Sequence, residues 1–359
     1  MSITLGIHPD SSAPGKGDPI RATIPAGTVD VHMRTDGPET ARSAQREPPA
    51  VLDLADVHPT AERLFLHANG HRFHAIAAGP SDGSPVLLLH GFPEFWYTWR
   101  AQLPALADAG FRAVAVDLRG YNLSDRPQGV SNYRLAELVA DGSGLCDALS
   151  DGPVPVVGHD WGGLIAWELA ARRPAAVERL AILNAPHPAA YQRELRRPSQ
   201  LLRSWYVSAF QVPWLPERLL TARNCAAIRT MLREGPMRTD AVPPAVRDRY
   251  ARALRRPGAM RAAIDYYRAL FRGTLGGALR DVLPKLDADD GARMSAGRIE
   301  HPALVLWGER DAALSTRLTE GLDEWVPFVR VERVPDASHW LHVDRPAAVN
   351  AALVEFVSD

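Results

Sequence analysis

Val154-Pro-Val-Val-Gly-His-Asp160-Trp-Gly-Gly163, followed by a helical run over 164–173, decides the fold of this chain. An apolar run ends in Gly158-x-Asp160-x-Gly162-Gly163 and a helix starts at once. That is the layout of a strained strand-to-helix turn that lifts one side chain above a sheet. Glycines on either side let the backbone turn without Cβ clashes. The lifted residue is Asp160. A carboxylate is not usefully acylated by an ester substrate, but it can displace a leaving group from an sp³ carbon and form an enzyme ester. An aspartate before a helix is also a common N-cap, favoured by the free N–H groups and the helix dipole. The glycines, the preceding strand and the partners downstream favour the nucleophile.

Composition sets the bounds. At 359 residues, 46% hydrophobic and 23% charged, the chain suits one large α/β domain with a sizeable insertion, or two ordinary domains. A formal charge of −1 gives no reason to expect nucleic acid or an anionic membrane as partner. Cys146 and Cys225 show neither metal-ligand spacing nor a disulfide framework, so a reducing compartment is the default. No stretch approaches 18 apolar residues, and the N-terminus lacks the basic-then-apolar plan of a signal peptide. The expectation is a cytoplasmic protein without a membrane span.

Residues 1–60 carry eight prolines and little periodicity, and read as a flexible extension with a short anchor at 51–54. From Glu62 the pattern changes to strands. Runs 63–68 and 71–78 flank Asn69-Gly70, the signature of a hairpin. Apolar strands at 85–90, 112–118, 154–158 and 177–183 then alternate with helices at 96–109, 135–149 and 164–173. Such alternation predicts a mostly parallel, doubly wound sheet with helices on both faces. It stops after His187. Five helical segments follow, at 195–209, 216–234, 244–254, 257–272 and 274–283, and then a polar loop at 287–298. Strand 302–307, helix 315–325, strand 329–334 and helix 347–357 close the pattern. The expected organisation is an α/β core at 61–186 and 299–359, with an all-helical cap inserted at 187–298.

Three residues stand just past the C-terminal ends of expected strands, in the order Asp160, Asp311, His339. Ligand sites form along that edge of an α/β sheet. His339 can deprotonate water near neutral pH, and Asp311 can hold its tautomer and stabilise its cation. Glu309 and Asn184 occupy rival positions for the acid, but an asparagine cannot act as a carboxylate. His90 also follows a strand and has a structural reading beside the turn.

His90-Gly-Phe92-Pro93-Glu94, Gly158-His-Asp160-Trp-Gly-Gly163, Gly308-Glu-Arg-Asp311 and Ser338-His339-Trp340 resemble the motifs of the epoxide hydrolases of the α/β-hydrolase fold, over about residues 62–357. The resemblance implies an oxyanion hole from the backbone N–H groups of Phe92 and Trp161, which suits hydrolysis of an ester. It also implies two cap tyrosines that hydrogen-bond the epoxide oxygen. Tyr206, four residues before Phe210-Gln211, and Tyr267, in Asp265-Tyr-Tyr267-Arg268, match; Tyr266 is one residue out of register. His90, Pro93 and Trp340 are expected substrate contacts. The implied partner is a small epoxide, without cofactor or metal, and a homodimer through the cap is left open. Asn122 stands where relatives often carry glycine, and asparagine tolerates the left-handed turn.

Haloalkane dehalogenases share the aspartate, the following tryptophan and the histidine. They need N–H donors for a halide, often from an asparagine after His-Gly, and Phe92 offers no side-chain donor there. Fluoroacetate-type dehalogenases usually have arginine after the nucleophile, where this chain has Trp161. A non-catalytic binding protein on the same fold would not require the full reacting set.

Overall fold

Continuous apolar runs become the inner strands of one sheet, because strands covered on both faces have no side that must be polar. A computed structural model describes residues 53–282, 294 and 297–359. The extension expected over 1–60 and the loop over 287–298 lie mostly outside the described residues. The strands are β1 (Glu62–Ala68), β2 (His71–Ala78), β3 (Pro85–Leu89), β4 (Arg112–Val116), β5 (Val154–His159), β6 (Val177–Leu183), β7 (Ala303–Gly308) and β8 (Val329–Val334). Their order in the sheet is β1-β2-β4-β3-β5-β6-β7-β8. The β1–β2 and β2–β4 pairs are antiparallel and the others parallel. Every residue of β5 and β7 is buried, whereas the edge strand β8 has none buried.

The hairpin turns on Asn69 and Gly70, with φ of 48° and 73°. Two successive left-handed residues give the twist that matches paired strands. The helices between strands are α1 (Gln102–Asp108), α2 (Leu135–Leu149) and α3 (Trp161–Arg172). Between β6 and β7 come α4 (Pro188–Glu194), α5 (Pro198–Arg203), α6 (Trp205–Ala209), α7 (Leu215–Glu234), α8 (Pro244–Leu254) and α9 (Ala259–Val282). The chain ends in α10 (Leu341–Asp344) and α11 (Pro346–Ser358). Helix α2 packs on α3, and α1 on α11.

Strand β3 lies between β4 and β5, so the chain runs outward from it in both directions. Loops leaving β3 and β5 diverge there and open a crevice. Phe92 follows one strand and Asp160 the other.

Several helices differ from the sequence pattern. The run 96–109 begins as a 3-10 turn, Trp96–Trp99, before α1. The run 315–325 is two 3-10 turns, Thr316–Thr319 and Leu322–Glu324, parted by Gly321 at φ 64°. Glycine in that conformation ends a helix without Cβ strain. Conversely, the two segments expected at 257–272 and 274–283 are one continuous helix, α9, because Gly273 retains helical geometry. Helix α7 leaves helical geometry at residues 222–225, so it acts as two shorter pieces.

Candidate active site

Asp160 sits between β5 and α3 with φ 50° and ψ −115°, an unfavourable conformation for a residue with a Cβ. Close backbone approach holds it there. A Cβ on Gly162 would lie 2.1 Å from the Leu89 carbonyl oxygen, and one on Gly91 would lie 2.3 Å from the Asp160 Cβ. The side chain makes no N-cap hydrogen bond to α3. Its Oδ1 instead accepts the Phe92 N–H at 2.8 Å, across the crevice. The helix-cap reading of Asp160 therefore fails on geometry.

His339 faces Asp160 from the loop after β8. Its Nε2 is 3.6 Å from Asp160 Oδ2, and its Nδ1 is 2.7 Å from Asp311 Oδ2. The Asp311 side chain is fully shielded, and its Oδ1 accepts the N–H groups of Ala313 and Leu314 at 2.8 and 2.9 Å. Burial alone would raise the Asp311 carboxyl, but the His339 charge and these donors outweigh it and hold it below the usual range. Burial likewise opposes a charged His339; Asp311 and Asp160 overcome that and raise its imidazole well above 6.5. Of the two acids weighed from the sequence, it is Asp311 and not Glu309 that contacts His339. Asn184 donates from Nδ2 to Asp311 Oδ2 at 2.7 Å and accepts the Gly308 N–H at 2.8 Å, so it orients the acid instead of replacing it.

The Trp161 N–H opens α3, where no intrahelical partner exists. With Phe92 N–H it can hold an oxyanion at the Asp160 carboxyl group. Tyr206 on α6 and Tyr267 on α9 approach from the opposite side, their rings 5.8 Å apart. Tyr267 lies 5.7 Å from Phe92 and 4.9 Å from Trp161. Burial first and the Asp160 charge among the rest push both hydroxyls well above 10, so both stay protonated donors. The neighbouring Tyr266 hydroxyl donates to the Arg119 carbonyl at 2.8 Å, which places it in the packing between α9 and the core.

Asp160, His339, the two tyrosines, Phe92 and Trp340 line one cavity of about 460 Å³. The Trp340 ring covers Gly235, where a Cβ would come within 2.1 Å of it. His90 and Pro93, expected as substrate contacts, are not in that lining. His90 is wholly buried, with Nε2 accepting the Leu118 N–H at 3.0 Å and Nδ1 bonded to the Gly91 carbonyl at 2.9 Å. One ring nitrogen thus holds the loop that carries Phe92, and the other ties it to the segment after β4. Pro93 is buried behind it. Trp205, Met231 and Leu314 line the cavity and carried no sequence signal beyond being apolar; Phe210, which also lines it, marked the position of Tyr206 in the sequence.

Behind the cavity lies a buried group that motif spacing does not reveal: Glu94, His159 and His342. Glu94 Oε2 bonds His159 Nδ1 at 2.8 Å and accepts the Gly91 N–H at 3.1 Å. His159 Nε2 reaches the His339 carbonyl at 2.9 Å. Thr98 Oγ1 bridges Glu94 Oε1 and His342 Nε2 at 2.7 Å each. These atoms are committed to one another in a hydrogen-bonded network that braces the Phe92 and His339 loops together. Burial would raise Glu94, but the His159 charge and hydrogen bonds hold it well below the ordinary value; burial and His159 push His342 down to about 4.

Asp344 makes a second brace. Its Oδ2 accepts from the Ser338 N–H and hydroxyl at 2.8 and 2.6 Å, and its Oδ1 from the Met237 and Arg238 N–H groups at 2.7 and 3.3 Å. One buried carboxylate thus ties the His339 loop to the segment between α7 and α8.

Residues 84–346 match the family described as the alpha/beta hydrolase fold. The chain is 37% identical over 300 residues to an AB hydrolase superfamily protein of Bacillus subtilis, covering 82% of this chain and 97% of that one. It is 35% identical over 337 residues to epoxide hydrolase 3 of Xenopus tropicalis, covering 92% and 86%. Among solved structures, a variant epoxide hydrolase of Bacillus megaterium complexed with its product, (R)-3-[1]naphthyloxy-propane-1,2-diol, superposes with a TM-score of 0.73. That protein is 28% identical, with 82% of this chain and all of the other covered. An aspartate at the elbow and relatives of this identity along most of the length lead to one placement: the chain belongs to the epoxide hydrolases of the α/β-hydrolase fold.

Proposed function

We propose that the protein opens a small, largely apolar epoxide to a vicinal diol through an ester on Asp160, with residues 61–186 and 299–359 as core and 187–298 as cap. One observation carries the residue roles. Phe92 N–H holds Oδ1 of Asp160 while Oδ2 faces His339 Nε2 at 3.6 Å. Oδ2 attacks a ring carbon from that position, the C–O bond breaks, and a proton from Tyr206 or Tyr267 passes to the departing oxygen. Oδ1 becomes the ester carbonyl oxygen, already in contact with an oxyanion donor.

Alkylation changes the base. The Asp160 charge helps keep the free His339 imidazole protonated. An ester carries no such charge, so its formation lowers the His339 pKa, the imidazolium gives its proton to solvent, and Nε2 is free to take one from water. The hydroxide attacks Cγ of Asp160, the oxyanion forms against Phe92 and Trp161 N–H, and collapse breaks the Cγ–Oδ2 bond; the departing alkoxide takes the proton of the added hydroxyl, which completes the diol and restores the carboxylate. The tyrosine recovers its proton from the imidazolium.

No helix among the described residues is long and apolar enough to cross a membrane. Cys146 and Cys225 are both free and buried, which supports a cytoplasmic setting.

His339→Gln tests the scheme. After incubation with styrene oxide, the intact protein should gain the mass of the whole epoxide, mapped to Asp160, and turn over slowly. Rapid turnover by that variant, or an alkyl adduct from a 1-haloalkane alone, would remove the assignment.

A further inference from the structure

Ten large hydrophobic residues are exposed among the described residues, and eight of them lie between β6 and β7. Six fall in one short stretch: Leu202, Trp205, Val212, Trp214, Leu215 and Leu219. Trp205 is 68% exposed, Trp214 63% and Leu202 74%, far beyond scattered surface apolar residues. The elements that carry them follow one another without a break. A run of helical-turn hydrogen bonds from Ser204 to Val212 spans roughly 12 Å at helical rise. The turn at Trp214 leads straight into α7, which carries Leu215 and Leu219 one turn apart.

Charge gathers on the same elements. From Leu195 to Arg233 there are seven arginines and one acid, and of the arginines Arg197, Arg229 and Arg233 pair with Glu194, Asp248 and Glu234. The one acid, Glu217, is engaged by Arg268. Arg196, Arg218 and Arg223 are exposed and pair with no carboxylate among the described residues. Arg218 lies over the Trp214 ring at 5.8 Å, guanidinium beside indole. Tryptophan and leucine flanked by arginine are the residues of interfacial helices that lie in the headgroup layer.

We propose that α5, α6 and the first half of α7 form a docking surface for an anionic lipid bilayer. A second copy of the chain fits the same patch less well, because a two-fold contact would bring Arg196, Arg218 and Arg223 against the same three arginines. The negative leaflet has the complementary sign. The surface also joins the catalytic cavity. Trp205 and Met231 both line that cavity and stand exposed. Resting on the epoxide reading above, docking would set the mouth against the phase in which apolar epoxides concentrate.

The test is sedimentation of the full chain with vesicles of equimolar phosphatidylcholine and phosphatidylglycerol, against phosphatidylcholine alone. Binding should be about tenfold tighter or more to the anionic vesicles and released at about 0.5 M NaCl. The triple variant Leu202→Ser, Trp214→Ser, Leu219→Ser should weaken it about tenfold, and Arg196→Glu with Arg218→Glu and Arg223→Glu should abolish it. None of these residues lines the cavity, so both variants should keep wild-type turnover of a water-soluble epoxide, which shows them folded. Sedimentation is read without turnover: a protein that binds vesicles but opens no epoxide keeps the docking surface and loses the activity. Failure to bind anionic vesicles overturns the proposal. So does a dimer in light scattering that both variants break apart, which would make the patch an interface between copies.

Discussion

The two sides of the catalytic cavity are built by different means. On the sheet side, backbone groups hold the two carboxylates: Phe92 N–H on Asp160, and the Ala313 and Leu314 N–H groups on Asp311. On the inserted side, Tyr206 and Tyr267 are held mainly by rings, with Phe210 5.9 and 5.0 Å away respectively. Backbone hydrogen bonds fix a position to a few tenths of an ångström, while aromatic packing tolerates sliding. The sheet side is therefore suited to fixed chemistry and the inserted side to variable substrate shape.

The contrast breaks most sharply if the relay fails to behave as a unit. Asp311→Asn should slow ester hydrolysis by about 10⁴-fold, because the imidazole loses the partner that fixes its tautomer and stabilises its cation. Ester formation should fall far less. Single-turnover mass spectrometry separates the two steps, and equal losses in both would contradict the relay. The pH response follows the same logic. The free-enzyme imidazole is raised, so the stability it contributes is full below the unfolded value of about 6.5 and is lost as pH rises through the folded one. In the ester the Asp160 charge is gone, so hydrolysis should lose rate on acidification at a lower pH than the free His339 titrates. An NMR titration of free enzyme set beside the pH profile of ester breakdown checks this.

The inserted side should show the opposite step dependence. Tyr206→Phe with Tyr267→Phe should reduce alkylation by about 10²- to 10³-fold while leaving hydrolysis of a preformed ester close to normal. An unchanged alkylation rate would return both residues to packing.

Sequence made the sheet side readable and the inserted side only partly so. Asp160, Asp311 and His339 each follow a strand, and an apolar run ending in a polar loop is a local signal. The braces are another matter. Glu94, His159 and His342 meet only because the loop after β3, the end of β5 and α10 converge, and no spacing announces it. Asn184 was visible as a residue unable to be the acid, yet its role in holding the acid needed the distance to Asp311. Gly321 broke an expected helix through a positive φ that a single residue in a polar run does not reveal.

Asp344 joins the two sides and should give a smaller effect than the reacting groups. Asparagine can accept with only one atom, so Asp344→Asn loses either the Ser338 or the Met237 contacts. Breaking charge-assisted hydrogen bonds in a buried site costs about 2–3 kcal/mol, measurable by denaturant unfolding. Hydrolysis should fall about tenfold as His339 loses its fixed loop, and alkylation less. A variant that loses stability with both steps scaled equally would make Asp344 a structural residue alone.

Tyr266 and Tyr267 give the finest comparison, since adjacent residues on one helix are assigned to different sides of the problem. Removal of the Tyr266 hydroxyl leaves the buried Arg119 carbonyl without that donor, so Tyr266→Phe should cost about 1 kcal/mol of stability. Its ring contacts with Tyr121 and Trp161, at 5.6 and 5.2 Å, survive the substitution. Alkylation should then stay within a few-fold of wild type. Tyr267→Phe should do the reverse, slowing alkylation with little change in unfolding midpoint. If the two variants exchange behaviours, α9 sits one residue out of register in the working enzyme, and the donor to the epoxide oxygen is Tyr266.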